Sequence, residues 1–192
     1  MKLAMLGGSF NPVHNGHVAL ARAVRDQLGY DRVVLVPANI SPGKQTGYVA
    51  EGKHRLAMLR LAVSVDPGLC TDDCELARGG VSWSIDTLRY LSERYGKDLT
   101  APIGLIIGQD LAASFGNWKE AAVIARDYTL LLAVRPPWKD ETFSFPHVTV
   151  ENPPIAVSSS AIRSAIHSGG PWRSLVPEPV GRYIEEHGLY AS

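Results

Sequence analysis

The sequence has few cysteines and no excess of charge of either sign. Its 192 residues include only Cys70 and Cys74, too few for a four-ligand zinc site without a nearby histidine pair. Nineteen basic residues balance nineteen acidic ones, whereas a general nucleic-acid binder normally carries a basic excess. We therefore expect no nucleic-acid partner. Small phosphorylated ligands stay open, because a local basic cluster suffices to bind them.

Long apolar runs are also missing. The N-terminal apolar run stops at Gly7 and Gly8, too early for a secretory signal peptide. No stretch approaches the roughly 20 apolar residues of a membrane-spanning helix. We therefore expect a cytoplasmic protein with no membrane partner, in which both cysteines are small strand residues in a reducing compartment. The length fits one domain over residues 1–192, and a homo-oligomer is left open.

Hydrophobic patterning predicts strands that alternate with helices. Strands are predicted at 2–6, 32–37, 69–76, 103–107, 129–134 and 147–150. Helices are predicted at 16–28, 53–65, 84–95, 118–126, 159–167 and 179–187. Ser84 and Thr87 are compatible with capping the start of the third helix. This alternation indicates a single doubly wound, Rossmann-like α/β domain with a mainly parallel sheet and a C-terminal helical segment.

Unusual residue groups follow three of these predicted strands. They are GGSFNPVHNGH at 7–17, PANISPGK at 37–44 and GQD at 108–110. Ligands of doubly wound sheets bind beyond the carboxyl ends of the strands, so these groups predict one composite site. The first group lacks the G-x-G-x-x-G and G-x-x-x-x-G-K-[ST] patterns, which argues against hydride transfer and P-loop hydrolysis. A glycine turn before a helix start instead favours a phosphate.

Two histidines stand at this helix start. His17 lies at helical spacing with Ala21, Val24 and Leu28, on the face that packs on the sheet. A lone histidine in such a position is more often a hydrogen-bonded core residue than a catalytic group. The second histidine, His14, directly after the glycine turn, shifts the interpretation towards phosphate binding.

The segment 14–17 resembles the HxGH signature of a nucleotidyltransferase superfamily. The segment 157–163, VSSSAIR, resembles its second signature, a serine-rich helix start with an arginine, although alone it would be an ordinary capped helix. Within the superfamily the chain resembles the bacterial nicotinate-nucleotide adenylyltransferases over nearly its whole length. The resemblance includes SWSIDTL at 82–88, IIGQDL at 106–111, the Trp118 region, Arg135 and LVPEPVGRYIEEHGLY at 175–190.

The chain departs from this family in three places. Gly43 stands where many members have a histidine, and Lys119 stands where a tyrosine is common. The stretch between Arg135 and Val157 is shorter than in many members. The first departure weakens what the family implies for the loop around 43, and contacts of 136–156 cannot be carried over from the family.

The resemblance implies that the phosphate of nicotinate mononucleotide attacks the α-phosphorus of ATP and that pyrophosphate leaves. Mg²⁺ would travel with ATP, held by phosphates and water and by no protein side chain. The catalytic residues it implies are His14 and His17. The residues it implies for ATP and its phosphates are Gly8, Ser9, Phe10, Lys44, Ser159, Ser160 and Arg163. The residues it implies for nicotinate mononucleotide are Ser84, Ile85, Asp110, Trp118, Lys119 and Arg135.

Ordinary structural roles are left open for several of these residues. Lys44 could be solvated, Asp110 could cap a helix, Trp118 could be a core aromatic and Arg135 could pair on the surface. Two other functions are also left open. One is a sister enzyme acting on nicotinamide mononucleotide or phosphopantetheine. The other is a non-catalytic nucleotide-binding protein, against which the intact signature residues argue.

Overall fold

Six parallel strands form the centre of the computed structural model, which describes residues 1–43, 49–134, 143–151 and 155–191. The strands are β1 (Leu3–Gly8), β2 (Arg32–Pro37), β3 (Leu69–Thr71), β4 (Gly104–Gly108), β5 (Thr129–Val134) and β6 (Val148–Glu151). Their order is β3-β2-β1-β4-β5-β6, and every neighbouring pair runs parallel. The predicted doubly wound α/β fold is confirmed, and the order of the strands reverses between β1 and β4.

Eight α-helices are described, and they cover both faces of the sheet. They are α1 (Asn15–Leu28), α2 (Gly52–Val63), α3 (Cys74–Arg78), α4 (Ser84–Tyr95), α5 (Gln109–Ala112), α6 (Ala121–Asp127), α7 (Ser159–His167) and α8 (Glu178–Glu186). One apolar layer joins α1, α2 and the C-terminal helices α7 and α8 to the sheet, and the other joins α4 and α6 to its opposite face. No helix among the described residues is long and apolar enough to cross a membrane.

Some local predictions are wrong. The strand predicted at 69–76 ends at Thr71, because the Asp72 carboxylate accepts a hydrogen bond from the backbone N–H of Cys74 and turns the chain into α3. Cys74 is therefore a helical residue, while Cys70 lies in β3 as expected. The helix predicted to begin at 118 begins at Ala121, since a short 3-10 turn precedes it.

The predicted caps of α4 are wrong as well. The cap position of α4 is Trp83, whose side chain makes no capping hydrogen bond. The hydroxyl of Thr87 instead donates to the Glu75 carboxylate at 2.5 Å, inside the protein. The N-terminal backbone of α4 therefore begins without a side-chain cap.

Candidate active site

The site lies where the strand order reverses, at the carboxyl ends of β1 and β4. The loop between β1 and α1 carries the first signature. Phe10 there has a positive φ of 45°, and its ring is buried against His17, with 4.9 Å between the ring centroids. The loop is thus anchored in the core by an aromatic ring, while the backbone on either side of that ring stays near the strand exits.

The two histidines stack at the start of α1. Their ring centroids are 3.6 Å apart and the rings are nearly parallel, at 21°. The backbone N–H of His14 donates to Nδ1 of His17 at 3.2 Å. Because Nδ1 accepts a hydrogen bond there, the neutral imidazole of His17 carries its proton on Nε2, and that N–H can donate a hydrogen bond. The loop backbone thus selects the tautomer of His17.

Gly16 between the histidines is needed for close packing. A Cβ at this position would lie 3.0 Å from Cγ1 of Val157 and 3.2 Å from the ring of His14. Val157 begins the second signature. The absence of a side chain at position 16 therefore lets the two signatures touch.

Hydrogen bonds also join the two signatures. Nη1 of Arg163 donates to the Asn11 carbonyl at 2.7 Å, and the Ser159 hydroxyl donates to the Pro12 carbonyl at 2.9 Å. Ser158 caps α7 by accepting from the backbone N–H of Ala161. Arg163 also lies 3.4 Å from the Ser160 hydroxyl. The start of α7 is thus fixed against the first signature, although the two are far apart in the sequence.

A cavity of about 420 Å³ opens beside the loop between β1 and α1. Its walls include the strand exit at Gly7, Gly8 and Ser9, the start of α4 at 82–84, and Trp118 with Lys119. Trp118 is half-buried, with its ring 5.3 Å from that of Phe115. The cavity therefore offers a flat aromatic wall next to an uncapped helix start, a combination that suits a planar anionic group.

A buried polar cluster supports the start of α4. Glu75 is 3% exposed and Thr87 is fully buried. Burial raises the pKa of the Glu75 carboxyl above its usual value, opposed by hydrogen bonds from Thr87 and Ser82. Arg78 donates to the Thr87 hydroxyl at 3.1 Å. Hydrogen bonds within this buried cluster thus fix the segment 82–87 against α3.

An exposed ion pair spans the two walls of the cavity. Nζ of Lys119 lies 3.0 Å from a carboxylate oxygen of Asp86 in the first turn of α4. The ammonium also lies 6.0 Å from the centre of the Trp83 ring. The side chain of Lys119 thereby ties the Trp118 segment to α4.

The structure brings together most of the residues implied by the resemblance, but not all. Phe10 is buried, so only its backbone can face a ligand. Ile85 is fully buried, and the side chain of Asp110 is exposed in α5; neither lines the cavity. The cap of α5 is Gly108, so the capping role considered for Asp110 is wrong. Lys44 and Arg135 lie outside the described residues.

Sequence reasoning missed several residues of the site. Glu75 and Trp83 line the cavity. Arg55 is 3% exposed and lies beneath the loop. Arg55 did leave a signal, because it occupies the apolar stripe of α2 that continues with Met58, Leu59 and Ala62. A charged residue in a buried stripe needs polar partners, and these come from segments that are distant in the sequence.

The donors at the site suit anions. His14, His17, Ser159 and Arg163 present N–H and O–H groups near a helix start. Among the described residues, no group of three His, Cys, Asp or Glu side chains is placed to hold a metal ion.

Comparison with known proteins identifies the family to which the chain belongs. The model of the cytidylyltransferase-like family matches residues 5–165. The chain is 38% identical to a protein of Treponema pallidum named as a probable nicotinate-nucleotide adenylyltransferase, and the match covers all of both chains. The chain belongs to the nicotinate-nucleotide adenylyltransferase family. A family member so named in Rhodopirellula baltica is 40% identical, over 98% of this chain and 92% of the relative.

Solved structures show the same family fold at lower identity. The nicotinic acid mononucleotide adenylyltransferase of Plasmodium falciparum, complexed with NaAD, superposes with a TM-score of 0.81 over 98% of this chain and 97% of the other. Only 18% of the residues are identical, so this likeness bears on the fold. The nucleotidyltransferase family predicted from the two signatures is confirmed.

Proposed function

We propose that this enzyme transfers the adenylyl group of Mg²⁺-bound ATP to nicotinate mononucleotide, giving nicotinate adenine dinucleotide and pyrophosphate. The observation that carries the proposal is the contact of the two signatures beside a cavity with an aromatic wall and an uncapped helix start. The names of the full-length relatives support the same reaction. Single-domain organisation, a cytoplasmic location and the lack of a nucleic-acid partner stay predictions.

In this reaction a phosphate oxygen of nicotinate mononucleotide attacks the α-phosphorus of ATP. A new P–O bond forms as the bond to the bridging oxygen breaks, and that oxygen leaves with pyrophosphate. Such transfers depend mainly on positioning and on stabilising charge on phosphoryl oxygens. Nε2 of His17 donates to the transferred phosphate, and His14 and the loop at Gly8 and Ser9 hold the surrounding oxygens.

The start of α7 binds the triphosphate. Its backbone N–H groups and the helix dipole favour an anion, and Arg163 adds a guanidinium that suits phosphate oxygens. Nη1 of Arg163 donates to the Asn11 carbonyl in this structure. Binding of ATP exchanges part of this bonding for contacts to phosphate, while the Ser159 bond to Pro12 keeps the helix in place. Lys44 stays a candidate phosphate ligand.

The cavity receives the pyridine ring. Trp118 supplies the flat wall, and backbone N–H groups at Ser84, Ile85 and Lys119 meet the carboxylate of nicotinate. An amide in the same position would turn its own N–H groups towards these donors, a mismatch that is strongly penalised. Asp110 and Arg135 stay candidates for the sugar and phosphate of the mononucleotide.

The test is an assay of pyrophosphate release with Mg²⁺–ATP and one acceptor at a time. Nicotinate mononucleotide should be used with a kcat/KM at least about tenfold above that of the nicotinamide form, given the hydrogen-bond mismatch. Phosphopantetheine should give no turnover. A nicotinamide preference would contradict the acceptor and leave adenylyl transfer standing. If no acceptor led to release of pyrophosphate, the proposal that the protein is an adenylyltransferase would be contradicted.

A further inference from the structure

Arg55 lies under the phosphate loop and reaches three separate segments. It stands in the first turns of α2 and is 3% exposed. Its Nε–H donates to the Ala50 carbonyl at 2.9 Å, and Nη1 donates to the carbonyls of Ser9 at 2.9 Å and Ala38 at 2.6 Å. One guanidinium thus joins the exit of β1, the exit of β2 and the segment before α2.

No carboxylate among the described residues forms an ion pair with Arg55. Among the described residues, its hydrogen bonds go to the backbone carbonyls of Ser9, Ala38 and Ala50. Burial lowers the pKa of the guanidinium, but an arginine stays charged at neutral pH. A buried cation is costly to place in a protein, and hydrogen bonds to carbonyls offset only part of that cost. An apolar residue would fill the stripe of α2 at less cost, so the charge points to a function.

Peptide geometry gives these hydrogen bonds a consequence on the ligand side. In a trans peptide the C=O and the following N–H point in opposite directions. When Arg55 holds the Ser9 carbonyl towards the core, the N–H of Phe10 points away from it, towards the phosphate side of the loop. Since its ring is buried, Phe10 can serve a ligand only through its backbone.

The same geometry acts on the exit of β2. With the Ala38 carbonyl held by Arg55, the N–H of Asn39 points outward, and it donates to the Ser82 hydroxyl at 2.9 Å. The backbone N–H of Ser82 in turn donates to the Ile40 carbonyl at 2.9 Å. Ser82 precedes the start of α4, so Arg55 is linked through one peptide to the phosphate loop and through another to the acceptor wall.

We propose that Arg55 is a positioning residue that sets the Ser9–Phe10 and Ala38–Asn39 peptides for the transferred phosphate and for the acceptor wall. The inference rests on the proposed adenylyl transfer. Arg55 touches neither substrate, and its effect passes through the direction of these two peptides. Loss of the guanidinium hydrogen bonds to the three carbonyls should lower kcat by about a hundredfold. Small displacements of groups at a reaction centre act on this scale.

The experiment compares Arg55→Lys, Arg55→Gln and Arg55→Ala with the wild type. Lysine keeps the charge and glutamine keeps an N–H₂ donor, but neither reproduces the fork that reaches three carbonyls. We expect kcat to fall in all three variants, with the KM values for both substrates changed by less than about threefold. Guanidinium chloride at millimolar concentration should restore part of kcat in Arg55→Ala, whereas sodium chloride should not.

The control is Asp66→Asn. Asp66 is also buried, at 7% exposure, and it binds Arg22 and Arg25 just before β3, at the amino end of the parallel strands and thus at the opposite end from the site. Its loss should lower Tm while kcat stays unchanged below the melting range. If Asp66→Asn lowers kcat as much as the Arg55 variants at equal Tm, or if Arg55→Lys keeps wild-type kcat, the positioning role is wrong. Should Arg55→Ala fail to fold, Arg55→Lys decides.

A readout without turnover separates this inference from the proposed function. In amide NMR spectra the Phe10 resonance should shift when Mg²⁺–ATP is added to the wild type, and this shift should be lost in Arg55→Lys. The Asn39 resonance should already differ between the ligand-free proteins. Unchanged behaviour of both amides overturns the positioning role, even if the enzyme is active. A wild type that turns over no acceptor but gives the expected amide shifts contradicts the proposed function alone.

Discussion

The starts of α4 and α7 face the same site but are built in different ways. At α7, Ser158 caps the helix and Ser159 and Arg163 donate to the first signature, so most polar side chains already have partners in the protein. At α4, no side chain caps the helix, and the polar side chains Thr87 and Glu75 bind each other underneath it. The α7 start is fixed by its contacts with the loop after β1, while the α4 start lines the cavity without a side-chain cap.

From this difference we infer that the two helix starts serve different substrates. A triphosphate is large and highly charged, so its site needs a fixed backbone and a cation, and our proposal assigns it to the α7 start with Arg163. Discrimination of a carboxylate from an amide requires hydrogen-bond donors with no acceptor beside them. Our proposal assigns this task to the α4 start, where the cap residue Trp83 makes no side-chain hydrogen bond. Substitutions at four residues test this difference.

The largest effect is expected at His17 in the first turn of α1, which our proposal assigns to the transferred phosphate. His17→Ala should lower kcat by about a hundredfold or more, because one preorganised donor is removed. Tm should change little, since the residue is only half-buried. Steady-state kinetics and a thermal melt check both. A variant that turns over at nearly the wild-type rate would make His17 a structural residue.

Removal of Arg163 should affect the α7 side alone. Arg163→Ala should raise KM for ATP by about tenfold or more, the scale of a lost charged hydrogen bond. KM for nicotinate mononucleotide should change by less than threefold. Arg163→Lys is the matched control, keeping the charge without the fork. Equal increases of both KM values would remove the assignment of Arg163 to the triphosphate.

The α4 side can be tested by deleting one backbone donor. Ser84 is the first residue of α4, where proline is tolerated because its fixed φ suits the helix. Trp83 has φ −98° and ψ 128°, a conformation allowed before proline. Ser84→Pro should lower kcat/KM for nicotinate mononucleotide by about tenfold, with KM for ATP unchanged.

Ser84→Ala provides the control, since it removes the hydroxyl and keeps the N–H. It should retain most of the kcat/KM for nicotinate mononucleotide. The residual activity of Ser84→Pro with the nicotinamide form should not fall in parallel. If both substitutions have the same effect, the hydroxyl and not the backbone N–H of Ser84 meets the acceptor.

The smallest effect is expected beneath α4, at Glu75. Burial raises the pKa of its carboxyl above the ordinary 4.5, so the unfolded chain loses this proton first as pH rises. The contribution of Glu75 to stability is therefore greatest below the ordinary pKa and is lost as pH rises towards the folded value. Glu75→Gln stays neutral and keeps an acceptor for Thr87.

The Tm of Glu75→Gln relative to the wild type should rise between pH 4 and 7, by about 2 °C if the gain approaches 1 kcal/mol. Calorimetry at several pH values measures the difference. Asp66→Asn is the contrasting control, because hydrogen bonds from Arg22 and Gly68 and the charge of Arg25 lower the pKa of Asp66 despite its burial. A Tm difference for Glu75→Gln that is independent of pH would contradict the charge argument.

Much of the fold was predictable because its signals are local. Apolar runs ended by glycines indicated β1 and β4, and helical spacing with Gly29 gave α1 its end, at the left-handed cap that the structure contains. The bounds of α4, α7 and β5 agree with the prediction residue for residue. The segment 69–76 failed because a single side chain, Asp72, redirects the backbone, and periodicity does not register such a bond.

The chemical groups of the candidate site could be recognised in the sequence alone: two histidines after a glycine turn, and a serine-rich helix start with an arginine. Each group lies within a short segment, so the spacing of its residues identifies it. Which side chains line the cavity and which lie beneath it became visible only in the folded protein. Arg55 meets Ser9 across 46 positions of the sequence and Tyr190 meets Asn11 across 179. Such pairs depend on how the strands are ordered and how the helices pack, and no local pattern of residues encodes them.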